Sequence, residues 1–299
     1  MQVLSALHLL GQGNYQKSVG ADNAAPMSQP SMSRAFDEVI NAMNSVPVLR
    51  NHISFPSTPA ARRRLILKNF QRYPYIPGVL GMVDGSHIAI IAPLVHEEQY
   101  LNRKGYHSLN IQVCCDVDYN ILNVVARFPG ATHDSFIWSN SGLRRTMQNL
   151  FREGEQLWLL GDSGYPHEPW LQPPILDAAE GSREANFTTA HMITRSSVER
   201  AIGHLKSRFR CLNKHRTLHF DPEKSGKIVN ACVVLHNMCV AANDLDELED
   251  EDDPEEIYEN RNAPVAAGPV LNEARALRAN LVNRTAVVPA AGQRGAHRL

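Results

Sequence analysis

The sequence predicts an α/β protein, a mixed sheet with helices on both of its faces. Three observations carry that prediction. Four runs rich in Val, Ile and Leu and bounded by Gly, Asp, Asn or Pro have the length of strands: VLGMVDGSHIAII, LNIQVCCDVDY, ILNVVARFPG and LWLLGDSGY. Helical segments separate and follow them, with DSFIWSNSGLRRTMQNLF before the fourth strand and SSVERAIGHLKSRFR and PEKSGKIVNACVVLHNMCVAAND after it. A hydrophobic content of 43% in 299 residues is enough for a sizeable core.

The elements follow in order. In residues 1–50 the segment LSALHLL reads as a helix stopped by Gly11-Gln12-Gly13, a glycine pair that suits a helix C-cap better than a phosphate loop. A second helix is expected over SQPSMSRAFDEVINAM: Ser28 or Ser31 can cap it, Pro30 suits its first turn, and Met32, Phe36, Ile40 and Met43 recur at helical spacing. With Ser31, Ser33 and Arg34 near its start, the pair fits a helix-turn-helix and equally a small helical subdomain packed on the main body. Residues 51–74 read as a linker and 75–241 as the main domain. From 242 onward the run DLDELEDEDDPEEIYEN and the Ala-, Pro- and Arg-rich sequence after it cannot bury enough apolar surface, so residues 242–299 are expected to be a disordered tail in which LNEARALRANLVNR forms at most a transient helix.

Charge is unevenly spread. Residues 242–299 hold twelve of the 31 acids and six of the 30 bases, which leaves residues 1–241 formally at +5. A basic body permits polyanion binding, though phosphate contacts need local clusters. No window approaches 18 uninterrupted apolar residues, and MQVLSALHLLGQGNY lacks a basic n-region and cleavage site, so the expected compartment is the cytosol or nucleus, without membrane contact. Five cysteines, with Cys114 and Cys115 adjacent on a strand, do not form a disulfide framework. Cys232, His236 and Cys239 lie in an apolar helix without a fourth ligand at zinc spacing, and His87 falls on the opposite strand face from Asp84; both read as structural.

Four acids stand at element ends: Asp84 in GMVDGSH, Asp134 in ATHDSF, Asp162 in LLGDSG and Glu199 in SSVERA. Singly, each has an ordinary use, as a turn former, an N-cap or a first-turn acid. Jointly they point elsewhere. If the strands share one sheet, Asp84 and Asp162 lie side by side near its middle and the helix of Glu199 crosses over them. Carboxylates at 4 Å repel by about 4 kcal/mol per pair at an effective dielectric of 20, and a divalent cation is the economical compensation. Magnesium or manganese takes oxygen ligands and keeps positions open for phosphate and water. Two such ions would clamp both oxygens of an in-line phosphodiester displacement. Along the Glu199 helix, Gly203, Lys206 and Arg210 share its strip, and Arg200, Lys206, Arg208 and Arg210 are candidate phosphate contacts or else a solvated basic face. Arg103 and Lys104 in LNRKGYHSLN form either a phosphate-contacting hairpin or an ordinary basic turn.

The ordered set VDGSHIAI, LNRKGYHSLNIQVCCD, FPGATHDS, WLLGDSGYP, VERAIGHLKSRFRCL and ACVVLHNM resembles the Harbinger transposase-derived nuclease family of the PIF/Harbinger DDE transposases, over nearly all of residues 75–241. NYQKSVGADNAAPMSQPSMSRAF is similar to that family's helix-turn-helix region. The resemblance implies a ribonuclease H-like fold and a divalent-metal (Mg2+ or Mn2+) DNA endonuclease site. Asp84, Asp162 and Glu199 match the family's acidic triad, and Asp134 a further metal-ligating acid. It also implies action on DNA in the nucleus with a Myb/SANT-like DNA-binding partner protein; the cytoplasm is expected as a second location, and a homo-oligomer stays open. Two alternatives stay open: a domesticated, catalytically silent DNA-binding or scaffold protein that keeps the transposase fold, and a transposase active only with its partner. The chain starts almost directly at the helix-turn-helix-like region, where family members have further N-terminal helices.

Overall fold

A computed structural model describes residues 2–13, 28–244 and 269–289. Its centre is a five-stranded mixed sheet of order β3-β2-β1-β4-β5, formed by β1 (Val79–Ala89), β2 (Ser108–Cys115), β3 (Ile121–Pro129), β4 (Trp158–Leu160) and β5 (Leu171–Gln172). β1, β2 and β3 pair antiparallel, whereas β4 and β5 run parallel to β1. Every residue of β2 is buried, as expected of an inner strand covered on both faces. β5 lies between the fourth strand and the helical segment predicted after it; two residues give no period to read.

β1, its alternation interrupted by an irregularity near Gly81, divides the core in two. Met82 and Ile88 point into a cluster with Ile111, Val113, Val198, Ile202 and Val229, while Leu80 and Val83 point into a second with Trp138, Met147, Tyr165 and Trp170. The first face is covered by α1 (Gln2–Gln12), α2 (Gln29–Met43), α8 (Arg183–Arg208) and α9 (Pro222–Ala241). The second is covered by α6 (Asp134–Ser139) and α7 (Gly142–Arg152). Helices therefore flank both faces, as the sequence predicts. Short helices α3 (Val46–His52) and α5 (Glu97–Tyr100) fill connections.

In α2 the Ser28 side chain accepts from Ser31 N, and Met32, Phe36 and Ile40 are buried against the body. Asn44, just past its end, donates to the Lys227 carbonyl at 2.8 Å. The connection from α1, residues 14–27, lies outside the described residues, and with it the turn of the expected helix-turn-helix.

Two sequence expectations need correction. Within the expected linker 51–74, residues Pro59–Arg72 form α4, whose buried Asn69 donates to the carbonyls of Val79 and Leu80 on β1. The polarity of PAARRRLILKNFQR hides this role, because two of its inward positions are Arg62, paired with Glu155, and Asn69. Within the expected disordered tail, residues Pro269–Arg284 form α10, packed on α8 with Ala274, Leu281 and Val282 buried. The segment is tied down further, since Ala286 N donates to Tyr75 O at 3.0 Å and Asn186 bonds both Ala286 O and Val288 N. The acidic run 245–268 lies outside the described residues. Among the described residues no helix is long and apolar enough to cross a membrane.

Gly226 lets α9 touch the sheet backbone. A Cβ there would stand 2.2 Å from the Ala126 carbonyl oxygen on β3, which has no flexible end to move aside. Gly226→Ala is expected to cost about 2 kcal/mol or more through this overlap. A shift in denaturation midpoint checks it, and an unchanged midpoint would show that helix and strand separate freely.

Candidate metal and nuclease site

Register brings the first two acids together. Met82 of β1 pairs with Leu160 of β4 in parallel, so Asp84 and Asp162 each stand two residues beyond one matched pair. Asp84 is inside β1; Asp162 lies just past the end of β4, in a turn where its Oδ1 accepts from Gly164 N at 3.0 Å. Gly161 N donates to Gln172 O, which also accepts from His191 Nε2 at 2.9 Å, so α8 and β5 jointly brace the residue before Asp162.

Asp134 arrives from the other face. It is the first residue of α6, with His133 at the N-cap position. Its carboxylate lies over Gly85, where a Cβ would stand 2.5 Å from Oδ1. Only a residue without a side chain leaves that space. Asn110 Nδ2 on β2 donates to the same oxygen at 2.8 Å and fixes its height. Glu199 comes from α8, whose apolar stripe of Val198, Ile202, Leu205 and Phe209 is buried as the spacing predicts, leaving the Glu199 side chain 52% exposed beside Asp84.

The electrostatics show a crowded anionic centre. Burial pushes the Asp84 carboxyl up to about 7, against the favourable charge of Arg195 and with further upward pressure from Asp162 and Glu199. Burial, then the neighbouring Asp134, pushes Asp162 up to about 6. Asp134 is also pushed to about 6, chiefly by burial, with the Asn110 hydrogen bond opposing. The four predicted acids thus act on one another as a single cluster.

One participant was missed by the sequence reading. Arg195, one turn before Glu199 on α8, donates from Nη1 to Asp84 Oδ2 at 2.8 Å and from Nη2 to Glu199 Oε1. Burial alone would lower its pKa, but Asp84, Glu199 and Asp162 outweigh it and raise it above the ordinary arginine value. The available signal was the i,i+4 Arg-Glu spacing, which is common on solvated helix faces and carries little by itself.

The basic candidates divide. Arg103 is exposed at the rim, its Nη2 2.9 Å from His133 Nδ1, and its charge acts on Asp134. Lys104 is exposed beside it in a turn organised by buried Asn102, whose Oδ1 accepts from Lys104 N at 3.0 Å. Arg200 is directed elsewhere, donating to Tyr119 Oη at 3.1 Å and Tyr73 Oη at 2.6 Å, which ties α8 to the end of α4. Arg208 donates to the Asp244 carbonyl at 2.6 Å. Because α8 ends at Arg208, exposed Arg210 falls in a following 3-10 turn and leaves the strip it was expected to share with Glu199 and Lys206.

The donor set suits a hard divalent cation. It consists of carboxylate oxygens, its members repel, and the single charge of Arg195 does not balance four carboxylates. Asp84, Asp134, Asp162 and Glu199 would hold it. Among the described residues, however, no group of three or more His, Cys, Asp or Glu converges closely enough to enclose a metal. The Arg195 guanidinium stands between two of the acids instead.

The model of the DDE superfamily endonuclease family matches residues 83–237, a span that includes all four acids. The chain is 38% identical over 240 residues to the proteins named "Putative nuclease HARBI1" from Bos taurus and Homo sapiens, covering 79% of this chain and 66% of each relative. It is 26% identical over 256 residues to "Protein ALP1-like" from Arabidopsis thaliana, covering 81% of this chain and 61% of that protein. The chain spans just under two thirds of the length of these relatives. No solved structure matches it.

Proposed function

We propose, for a chain that belongs to the DDE superfamily endonuclease family and to its Harbinger transposase-derived nucleases, that it hydrolyses DNA phosphodiester bonds with a divalent metal held by Asp84, Asp134, Asp162 and Glu199. The observation that carries this reading is the electrostatic cluster formed by four carboxylates from β1, α6, the turn after β4 and α8, three of them pushed up to about 6 or 7. The strand order β3-β2-β1-β4-β5, with β1 to β3 antiparallel and β4 and β5 parallel, supports a ribonuclease H-like arrangement.

When bound, the metal supplies Lewis acidity toward a phosphodiester and a water. The chain's own residues set the geometry. Asp84 is fixed by the ladder of β1, Asp162 by the turn bonded through Gly164, and Asp134 by Asn110. Arg103 and Lys104 at the rim provide phosphate contacts that position the strand without reading sequence. We extend the proposal to nuclear action, with the cytoplasm as a second location, to a Myb/SANT-like partner that supplies sequence recognition, and to a helix-turn-helix role for α1 and α2.

The test is cleavage of duplex and single-stranded DNA with Mg2+ or Mn2+ supplied or chelated. Cleavage is expected only with metal and is expected to disappear in Asp162→Ala and Glu199→Gln. Retained cleavage in either variant would sink the assignment. One observation favours the silent-scaffold reading, namely that Arg195 already neutralises Asp84 and Glu199. Failure of the wild-type protein to take up Mg2+ or Mn2+ in calorimetry would favour it.

A further inference from the structure

We propose that Arg195 is a guanidinium latch across the metal-free site, one that a divalent cation must displace before Asp84 and Glu199 can turn to it. The inference rests on the metal reading above and adds a gate to it. Its basis is geometric. Arg195 and Glu199 lie one turn apart on α8, directly above Asp84 on β1, so one planar fork reaches a carboxylate on its own helix and another on the sheet. The Arg195 side chain is only 19% exposed, as is fitting for an internal counter-ion.

The same two bonds explain why the acids stand close enough to repel yet do not converge on one point. Glu199 is held toward the guanidinium rather than toward Asp162. Arginine cannot escape this competition by losing its proton. A divalent ion at an Asp84 oxygen would sit about 2.0–2.1 Å from it, as magnesium does, and so within a few ångströms of the guanidinium. Two cations on one carboxylate repel across that distance, so metal binding drives the arginine off. Binding then requires the open latch, and a latch open one time in ten weakens apparent metal affinity about tenfold. The device keeps the metal-free fold neutralised and the site shut.

The test is titration of wild-type protein, Arg195→Gln and Arg195→Lys with MnCl2 by calorimetry at pH 7.5. The Gln variant removes the competing charge and is expected to bind Mn2+ about tenfold more tightly or better, with the Lys variant between the two because it keeps a charge but loses the fork. A merely structural role predicts affinity that is equal or weaker in a destabilised variant. Should Arg195→Gln not fold, nitrogen-detected NMR of the wild-type guanidinium groups decides, with Arg195 assigned by its loss in Arg195→Lys. Saturating Mg2+ is expected to move the Arg195 signal. A signal that stays in place, or Gln-variant affinity no tighter than wild type, overturns the latch while leaving the metal site standing. Absence of Mn2+ uptake by both wild type and variants overturns the metal reading itself.

Discussion

Asp84→Asn abolishes metal-dependent cleavage and, in chelator at pH 8, makes the protein more stable than the wild type. The loss of activity is expected to reach about 10³-fold or more, because the substitution removes a carboxylate that, on the proposed function, would hold the ion and that stands at the centre of the cluster. The gain in stability has its own cause. The Asp84 carboxyl is pushed from its ordinary 3.8 up to about 7, mainly by burial. Between those values the native state holds a proton that the unfolded chain has released, so this group makes stability fall as pH rises from about 4 to 7. Below 3.8 the carboxyl is protonated in both states and contributes no difference. Asparagine has no charge to bury, and the variant loses that slope. Its advantage should be about 1–3 kcal/mol at pH 8, shrinking to nothing near pH 4. Denaturant unfolding at several pH values in EDTA measures it. Parallel curves for wild type and variant would show that Asp84 ionises in the native state without strain.

Asp134 and Asp162, each pushed up to about 6, add slopes of the same sign over a lower window, from about 4 to 6. On the proposed function, protons and metal would compete for these groups. Stabilisation by Mg2+ is therefore expected to grow from pH 5.5 to 8 rather than stay constant.

The parts of this site that could be read in the sequence were those where polarity breaks an apolar run. LWLL and VLGMV are core strands on any reading, and an acid at the end of each marks a position held at a fixed height without being wanted for packing. Register then does the rest, since Asp84 and Asp162 each lie two residues past the Met82–Leu160 pair. What stayed hidden were elements whose buried faces are polar. α8 runs for 26 residues, yet only its second half shows a stripe, because the buried positions of the first half include His191 and Thr194 among Phe187 and Ala190. Arg195 sits in that unreadable half. α4 was masked by Arg62 and Asn69 in the same way, and α10 by Arg278, whose Nε donates to Gln172 Oε1 across the interface with the body. A hydrophobic period counts apolar side chains and misses a buried polar one that has found its partner.

Glu168 is the largest such hidden determinant, and Glu168→Ala should cost about 3 kcal/mol or more of folding stability. Its side chain is 4% exposed and accepts from Arg144 at 2.6 Å and 2.9 Å and from Trp138 Nε1 at 2.8 Å. Trp138 belongs to α6, the helix that begins at Asp134, and its ring meets the edge of Tyr165, three residues past Asp162. One carboxylate therefore joins the helix of the third acid to the turn of the second. Its removal leaves a charge and an indole N–H without their acceptor, a cost larger than the bonds' net contribution. Because Arg144 remains 27% exposed, water can recover part of the loss, which sets the estimate at the low end for buried pairs. The distinguishing measurement is a double-mutant cycle: Arg144→Leu combined with Glu168→Leu should be less damaging than the sum of the two single changes by at least about 1 kcal/mol. Strict additivity would mean that the Arg144–Glu168 pair does not hold α7 to the turn that carries Glu168.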